Sequence, residues 1–183
     1  MIQKFLKSFI LFIIPLVLIL VTSDMLYKRI PNDYSYKSEY ILEHGSDIQI
    51  LALGSSHAYR GVDPSCFSKN CFNAAMVSQS IDYDYLLLEN YLDELSNLDY
   101  VLVPISYFSL TRSFDESKEN WRKYQYHHFT KIKLPRINER YSMKAIFSIA
   151  VNGLRTSCSR LVNFYIKGKD PVLCDELGWG AWP

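Results

Sequence analysis

The chain has 183 residues, enough for one domain once a short N-terminal segment is set aside. Twenty Lys and Arg balance nineteen Asp and Glu to a net charge of +1, so no basic field points to nucleic acid. The four cysteines stand outside any Cys-x-x-Cys or His-rich spacing, so nothing predicts a metal centre, and no motif calls for a cofactor.

The first predicted element is the uncharged run from Phe9 to Thr22, preceded by Lys4 and Lys7 and followed by Asp24. A helix that is apolar on every side needs lipid around it or complete burial. Residues 1–27 therefore read as an uncleaved, single-pass membrane anchor, with Met25, Leu26 and Tyr27 extending it into the interface. The alternative is a cleaved signal peptide ending near Val21-Thr22-Ser23. In either case the leading lysines hold the N-terminus in the cytoplasm, so the rest is expected in the periplasm or at the cell surface.

Residues 28–46 are polar and aromatic, with Pro31, Asn32 and Gly45, and read as a linker lifting a domain of residues 47–183 off the membrane. Residues 47–53 form a short apolar run closed by Gly54, the pattern of a buried parallel strand. A second strand is predicted over 71–75. A helix follows over 80–95, with Ser80 as its cap, Asp82 and Asp84 in its first turn, and Ile81, Tyr85, Leu88, Leu92 and Leu95 on its apolar face. A third strand is predicted over 100–105, with Pro104 marking its end or a bulge. Residues 113–130 predict an exposed helix and loop. A long helix over 139–167 carries the stripe Met143, Phe147, Ala150, Leu154, Cys158, Leu161 and Tyr165, and Gly168 stops it. In an exported protein Cys66 and Cys71, flanking a short loop, are the expected disulfide. Fourteen Tyr and ten Phe fit either a well-filled core, the reading favoured here, or a surface that stacks on sugars.

Strand, helix, strand, helix is the order of a layered α/β fold. Three strands make a thin sheet and none follows the long helix, so the fold is expected to be incomplete within these residues. Gly54-Ser55-Ser56 is a tight turn at the carboxyl end of the first strand, where open parallel sheets bind ligands. A hydroxyl there is exposed at a site whose backbone N–H groups can stabilise an oxyanion. On the spacing alone an ordinary turn is the favoured reading.

A wider pattern changes that weighting. Residues 47–110 resemble the SGNH/GDSL hydrolase superfamily, and more closely its exported polysaccharide O-acetylation and D-alanine-transfer branches. In the first block, Gly54-Ser55-Ser56, the resemblance makes Ser56 the nucleophile, with Gly54 and Ser55 in the turn and His57 beside it. The second block, Phe72 to Ser80, supplies Asn73 and an oxyanion-hole turn, with Ser78 where the family has Gly. The third, at Ile105-Ser106-Tyr107-Phe108-Ser109, lacks the family's Asn and leaves Ser106 as donor. The family's Asp-x-x-His block has no counterpart, since no Asp here has His three residues later, and a serine without a base is a poor nucleophile.

The resemblance implies a three-layer, flavodoxin-like parallel sheet. It also implies a membrane-anchored O-acyl, chiefly O-acetyl, esterase or transferase that acts on cell-envelope or exopolysaccharide sugars and is inactive if no base reaches Ser56. The alternative is a non-catalytic scaffold or glycan-binding protein that works with polysaccharide-assembly proteins. Arg60 and Asp63 are further pocket candidates, while His127 and His128 read as solvated and His44 as inert.

Overall fold

The computed structural model describes residues 2–107, 109–111, 117–130, 132 and 143–180. Its first element, α1 (Ile2–Lys28), is long and apolar enough to cross a membrane, and its side chains from Ile2 to Ile19 lie outside the protein core. The last turns behave differently: Asp24 and Tyr27 are buried, so the helix runs into the domain. Asp24 accepts hydrogen bonds from Ser148 Oγ (2.8 Å) and Ile149 N (3.0 Å), and pairs with Lys28 (3.0 Å).

Residues 33–44, expected within a linker, form α2 (Asp33–His44), a helix that belongs to the core. Asn32 caps it by accepting from the Tyr34 and Ser35 amides, and Ser35 closes the reciprocal bond to the Asn32 amide. Tyr34, Lys37, Ser38 and Ile41 are buried, and Tyr40 stacks on Phe72 with ring centres 4.2 Å apart. With one aliphatic residue on the buried face, this segment gave no hydrophobic period to read.

Three short strands, β1 (Ile50–Ala52), β2 (Cys71–Asn73) and β3 (Tyr100–Leu102), form a parallel sheet in the order β2-β1-β3. The expected strand positions, direction and central place of β1 are all found, and the fold is α/β. In register, Leu51 faces Phe72 on one side and Val101 on the other. β1 and β2 are buried, whereas all three residues of β3 are exposed. The outer edge of β2 is met by the C-terminal segment, where Asn73 N donates to Leu177 O (2.9 Å). That segment also straps over α2 and α3 (Ser56–Gly61) through Tyr36 OH to Glu176 O and Trp179 Nε1 to Arg60 O.

The helix after β2, α4 (Ile81–Tyr91), presents a different face to the core from the one expected. Tyr83, Asp84, Leu87 and Tyr91 point inward, while Ile81, Tyr85 and Leu92 are 41%, 63% and 56% exposed; of the expected face, Leu88 packs against the core and Leu95, past the helix end, is buried. Both stripes carry apolar residues. The inner one wins because Tyr83 packs on Tyr126 and the Tyr91 hydroxyl meets Ser38. Ser80 sits at the cap position, but its hydroxyl makes no capping bond and is buried without a partner.

The segment expected to be an exposed helix and loop contains α5 (Lys123–Phe129), which buries Tyr124, Gln125, Tyr126 and Phe129; residues 113–116 of it lie outside the described residues. The expected long helix is broken. Its residues 139–142 lie outside the described residues, and the rest forms α6 (Met143–Ile146), a tight turn over Ser148–Ala150, and α7 (Leu154–Tyr165). The Ile149 amide turns to Asp24 instead of continuing the ladder, and Gly153, at φ +79°, redirects the backbone. The expected stop at Gly168 stands, with φ +61° and its amide bonded to Phe164 O. The expected Cys66–Cys71 disulfide is absent: Cys66 is exposed, Cys71 buried, and all four cysteines are free.

Candidate active site at the carboxyl end of β1

β1 delivers the chain to Gly54, whose φ of +120° suits glycine alone; a Cβ there would lie 3.2 Å from that of Ala58. Its carbonyl accepts from Met76 N (3.1 Å), tying the serine turn to the loop after β2. Its amide donates to Asp84 Oδ1 (2.8 Å), so it is not available to an oxyanion. Ser55 is buried and precedes α3, and Ser56 is the first residue of that helix. The Ser56 side chain is half-buried, and its hydroxyl has no hydrogen-bond partner among the described residues.

The other residues singled out from sequence divide into two groups. His57 is exposed, and its Nδ1 lies 3.2 Å from Ser106 Oγ, which brings the serine turn and the loop after β3 together. Ser106 is itself braced by a turn in which its amide donates to Ser109 Oγ (3.2 Å). Ser78 is exposed at φ +63°, a left-handed conformation that costs a non-glycine residue energy. Asn73, by contrast, faces the interior. Its Nδ2 donates to Ala58 O (2.9 Å) and Val62 O (2.8 Å), and its Oδ1 accepts from Ala75 N (3.0 Å). It therefore clamps α3 onto β2 and positions the turn, fully buried and with both amide hydrogens engaged. Asp63 caps its own short turn through Ser65 N, and Arg60 lends its carbonyl to Trp179. His128 is half-buried and bonded through Nε2 to Lys144 O, not solvated as expected, while His127 is exposed.

Two buried groups escaped the sequence reading. Asp84 Oδ1 accepts from both Gly54 N and Gln79 Nε2, and Gln79 Oε1 in turn accepts from Tyr126 OH. Burial pushes the Asp84 carboxyl up to about 6, although the Gln79 and Gly54 bonds act in the opposite direction. The signal was available: Asp84 shares the inward stripe of Tyr83, Leu87 and Tyr91. Lys37 is 3% exposed, donates to Ala75 O (2.6 Å) and lies over the Tyr59 ring at 4.4 Å. Burial lowers its ammonium to about 8. Among the described residues, no group of three or more His, Cys, Asp or Glu is placed to hold a metal ion.

No protein-family model, curated protein or solved structure matches this chain. A free hydroxyl sits where a central parallel strand turns into a helix, beside two further loops that converge on the same end of the sheet.

Proposed function

We propose that this chain is a membrane-anchored, extracytoplasmic, SGNH-like protein that transfers or hydrolyses O-acyl groups on cell-envelope or exopolysaccharide sugars, with Ser56 as nucleophile. The observation that carries the reading is the unpartnered Ser56 hydroxyl directly after the glycine-dependent turn that ends β1. The left-handed Ser78, at the position where the resembling family has glycine, supports it.

In this mechanism Ser56 Oγ attacks the acyl carbonyl, and its proton passes to a general base. Backbone N–H groups at Ser56 and Ser78 take the developing oxyanion. The tetrahedral adduct collapses by breaking the bond to the leaving alcohol, which recovers a proton, and the acyl group remains on Ser56. Water or a sugar hydroxyl then attacks the acyl-serine and regenerates the enzyme. The His57 ring is tied to Ser106, so we assign it to holding the loops together. With no Asp-x-x-His in the chain, the 183 residues alone are expected to turn over simple acetyl esters slowly or not at all.

The test is acylation. The chain is incubated with p-nitrophenyl acetate, with and without added imidazole as a soluble base, and the protein is read by peptide mass spectrometry. An acetyl group on Ser56 that imidazole accelerates and Ser56→Ala removes is the expected result. Acetylation that ignores Ser56→Ala would sink the serine reading. The engaged Asn73 amide and the tethered His57 favour a second reading, a glycan-binding scaffold of polysaccharide assembly. That protein would retain glycan binding as Ser56→Ala and never acquire the acetyl group.

A further inference from the structure

The region where α1 enters the domain carries a surface that the serine chemistry does not use. α7 meets the last turns of α1 directly through Arg160 and Tyr165 and, by way of Ile149, through Ser157. Ser157 Oγ donates to Ile149 O (2.8 Å), whose own amide reaches Asp24; Arg160 Nη1 reaches Tyr27 OH (3.5 Å), and Tyr165 OH donates to Leu26 O (3.0 Å). From Ser157 to Tyr165 α7 rises about 12 Å, while its partners on α1 stay within residues 24–27, about 5 Å of rise. α7 therefore lies across α1, not along it.

The level of that crossing follows from the same geometry. The stretch free of charge, Ser8 to Ser23 between Lys7 and Asp24, rises about 23 Å, a short span of the roughly 30 Å hydrocarbon core, and Leu20 is the first residue of α1 to pack against the domain core. Residues 24–27 then fall within about 6 Å of the end of that stretch, at the boundary with the headgroup layer. An in-plane helix at that depth should expose apolar side chains and basic groups together. Met143, Ile146, Leu154, Val162, Tyr165 and Ile166 are 40–76% exposed. Residues 143–169 contain Lys144, Arg155, Arg160, Lys167 and Lys169 and no acidic residue. The rest of the chain holds fifteen basic against nineteen acidic residues, so the basic excess is local to this segment.

We propose that α6 and α7 form a collar that lies in the headgroup layer of an anionic bilayer, around the point where α1 leaves it. The apolar side chains enter the interface, and the Lys and Arg heads meet lipid phosphates. The collar rests on the membrane-spanning reading of α1 and is independent of the role of Ser56.

The test uses the full chain in vesicles of phosphatidylcholine, or of equal parts phosphatidylcholine and phosphatidylglycerol. An environment-sensitive fluorophore is placed on exposed Cys158 in a Cys66→Ser background. A second protein, with Cys66 and Cys158 replaced by Ser, carries the fluorophore at Leu16→Cys to report insertion of α1. The collar predicts that the Cys158 probe shifts to the blue and is quenched by spin labels at headgroup depth, more strongly in the anionic vesicles. Combining Arg155→Gln, Lys167→Gln and Lys169→Gln should lower the docking constant by about fivefold per charge removed. A Cys158 probe left in water while the Leu16 probe is quenched deep in the bilayer would overturn the collar alone. Docking that the triple variant leaves unchanged would overturn the anionic-lipid assignment. A Leu16 probe left in water would remove the anchor, and the collar with it.

Discussion

Replacing Asp84 by Asn should stabilise the protein at pH 7.5. Burial raises the folded-state carboxyl from 3.8 to about 6, so the folded chain holds this proton more tightly than the unfolded chain does. The stabilisation that the proton brings is complete below about pH 4 and is lost as pH rises through 6. A displacement of that size corresponds to about 3 kcal/mol between the protonated and ionised forms. Asn keeps an oxygen for Gly54 N and Gln79 Nε2 and carries no charge, so it imitates the protonated acid. Asp84→Asn should gain about 1–3 kcal/mol over the parent at pH 7.5 and nothing at pH 4. Asp84→Ala should lose stability at both, because two buried donors are left unpaired at about 1–3 kcal/mol each. Denaturant unfolding in detergent micelles, followed by the half-buried Trp121 and Trp179, gives all six values. If Asn costs as much as Ala at pH 7.5, the negative charge is needed in place and the burial argument fails.

Three further outcomes follow from the same contacts. Gly54→Ala should cost about 2 kcal/mol or more by denaturant midpoint, from its φ of +120° and the crowding against Ala58; a neutral result would mean that the turn relaxes freely. Asp24→Ala should speed amide exchange at Ile149 by tenfold or more, on the order of the 1–3 kcal/mol lost with a buried acceptor, while Asp24→Asn should keep most of the protection. Brief maleimide treatment should label Cys66 and Cys158 first. Burial pushes the Cys71 thiol up to about 11 and that of Cys174 to about 12, so equal labelling of all four by mass spectrometry would contradict the packing.

The sheet was legible because its signals are local. Ile50–Ala52 is an unbroken apolar run before glycine, and three such runs separated by a helix leave few ways to order parallel strands. The helices were read less well, because their faces are decided by contacts far away in sequence. α4 has apolar residues on two sides, and the choice between them depends on Tyr126 and Ser38, 43 residues after Tyr83 and 53 before Tyr91. The stripe from Met143 to Tyr165 is periodic enough for one helix, and nothing near it announces that Asp24, 125 residues earlier, will claim the Ile149 amide. At the candidate site the bend after β1 was legible as a turn, from Gly54 and the small residues that follow it. The resemblance put Asn73 in the pocket, whereas its amide hydrogens are engaged by the Ala58 and Val62 carbonyls, contacts that depend on α3 packing back on β2.

The unequal edges of the sheet set how this protein can stick to itself. On β3, Tyr100 and Leu102 turn their backbone groups toward β1, which leaves those of Val101 facing outward on a strand exposed along its whole length. The other margin is already hydrogen-bonded through Asn73 to Leu177. A sheet with two open margins can stack copies without limit, as fibres do. Among the described residues only the β3 margin is open, so a pairing of two copies through it would join β3 to β3 and use up that margin in each.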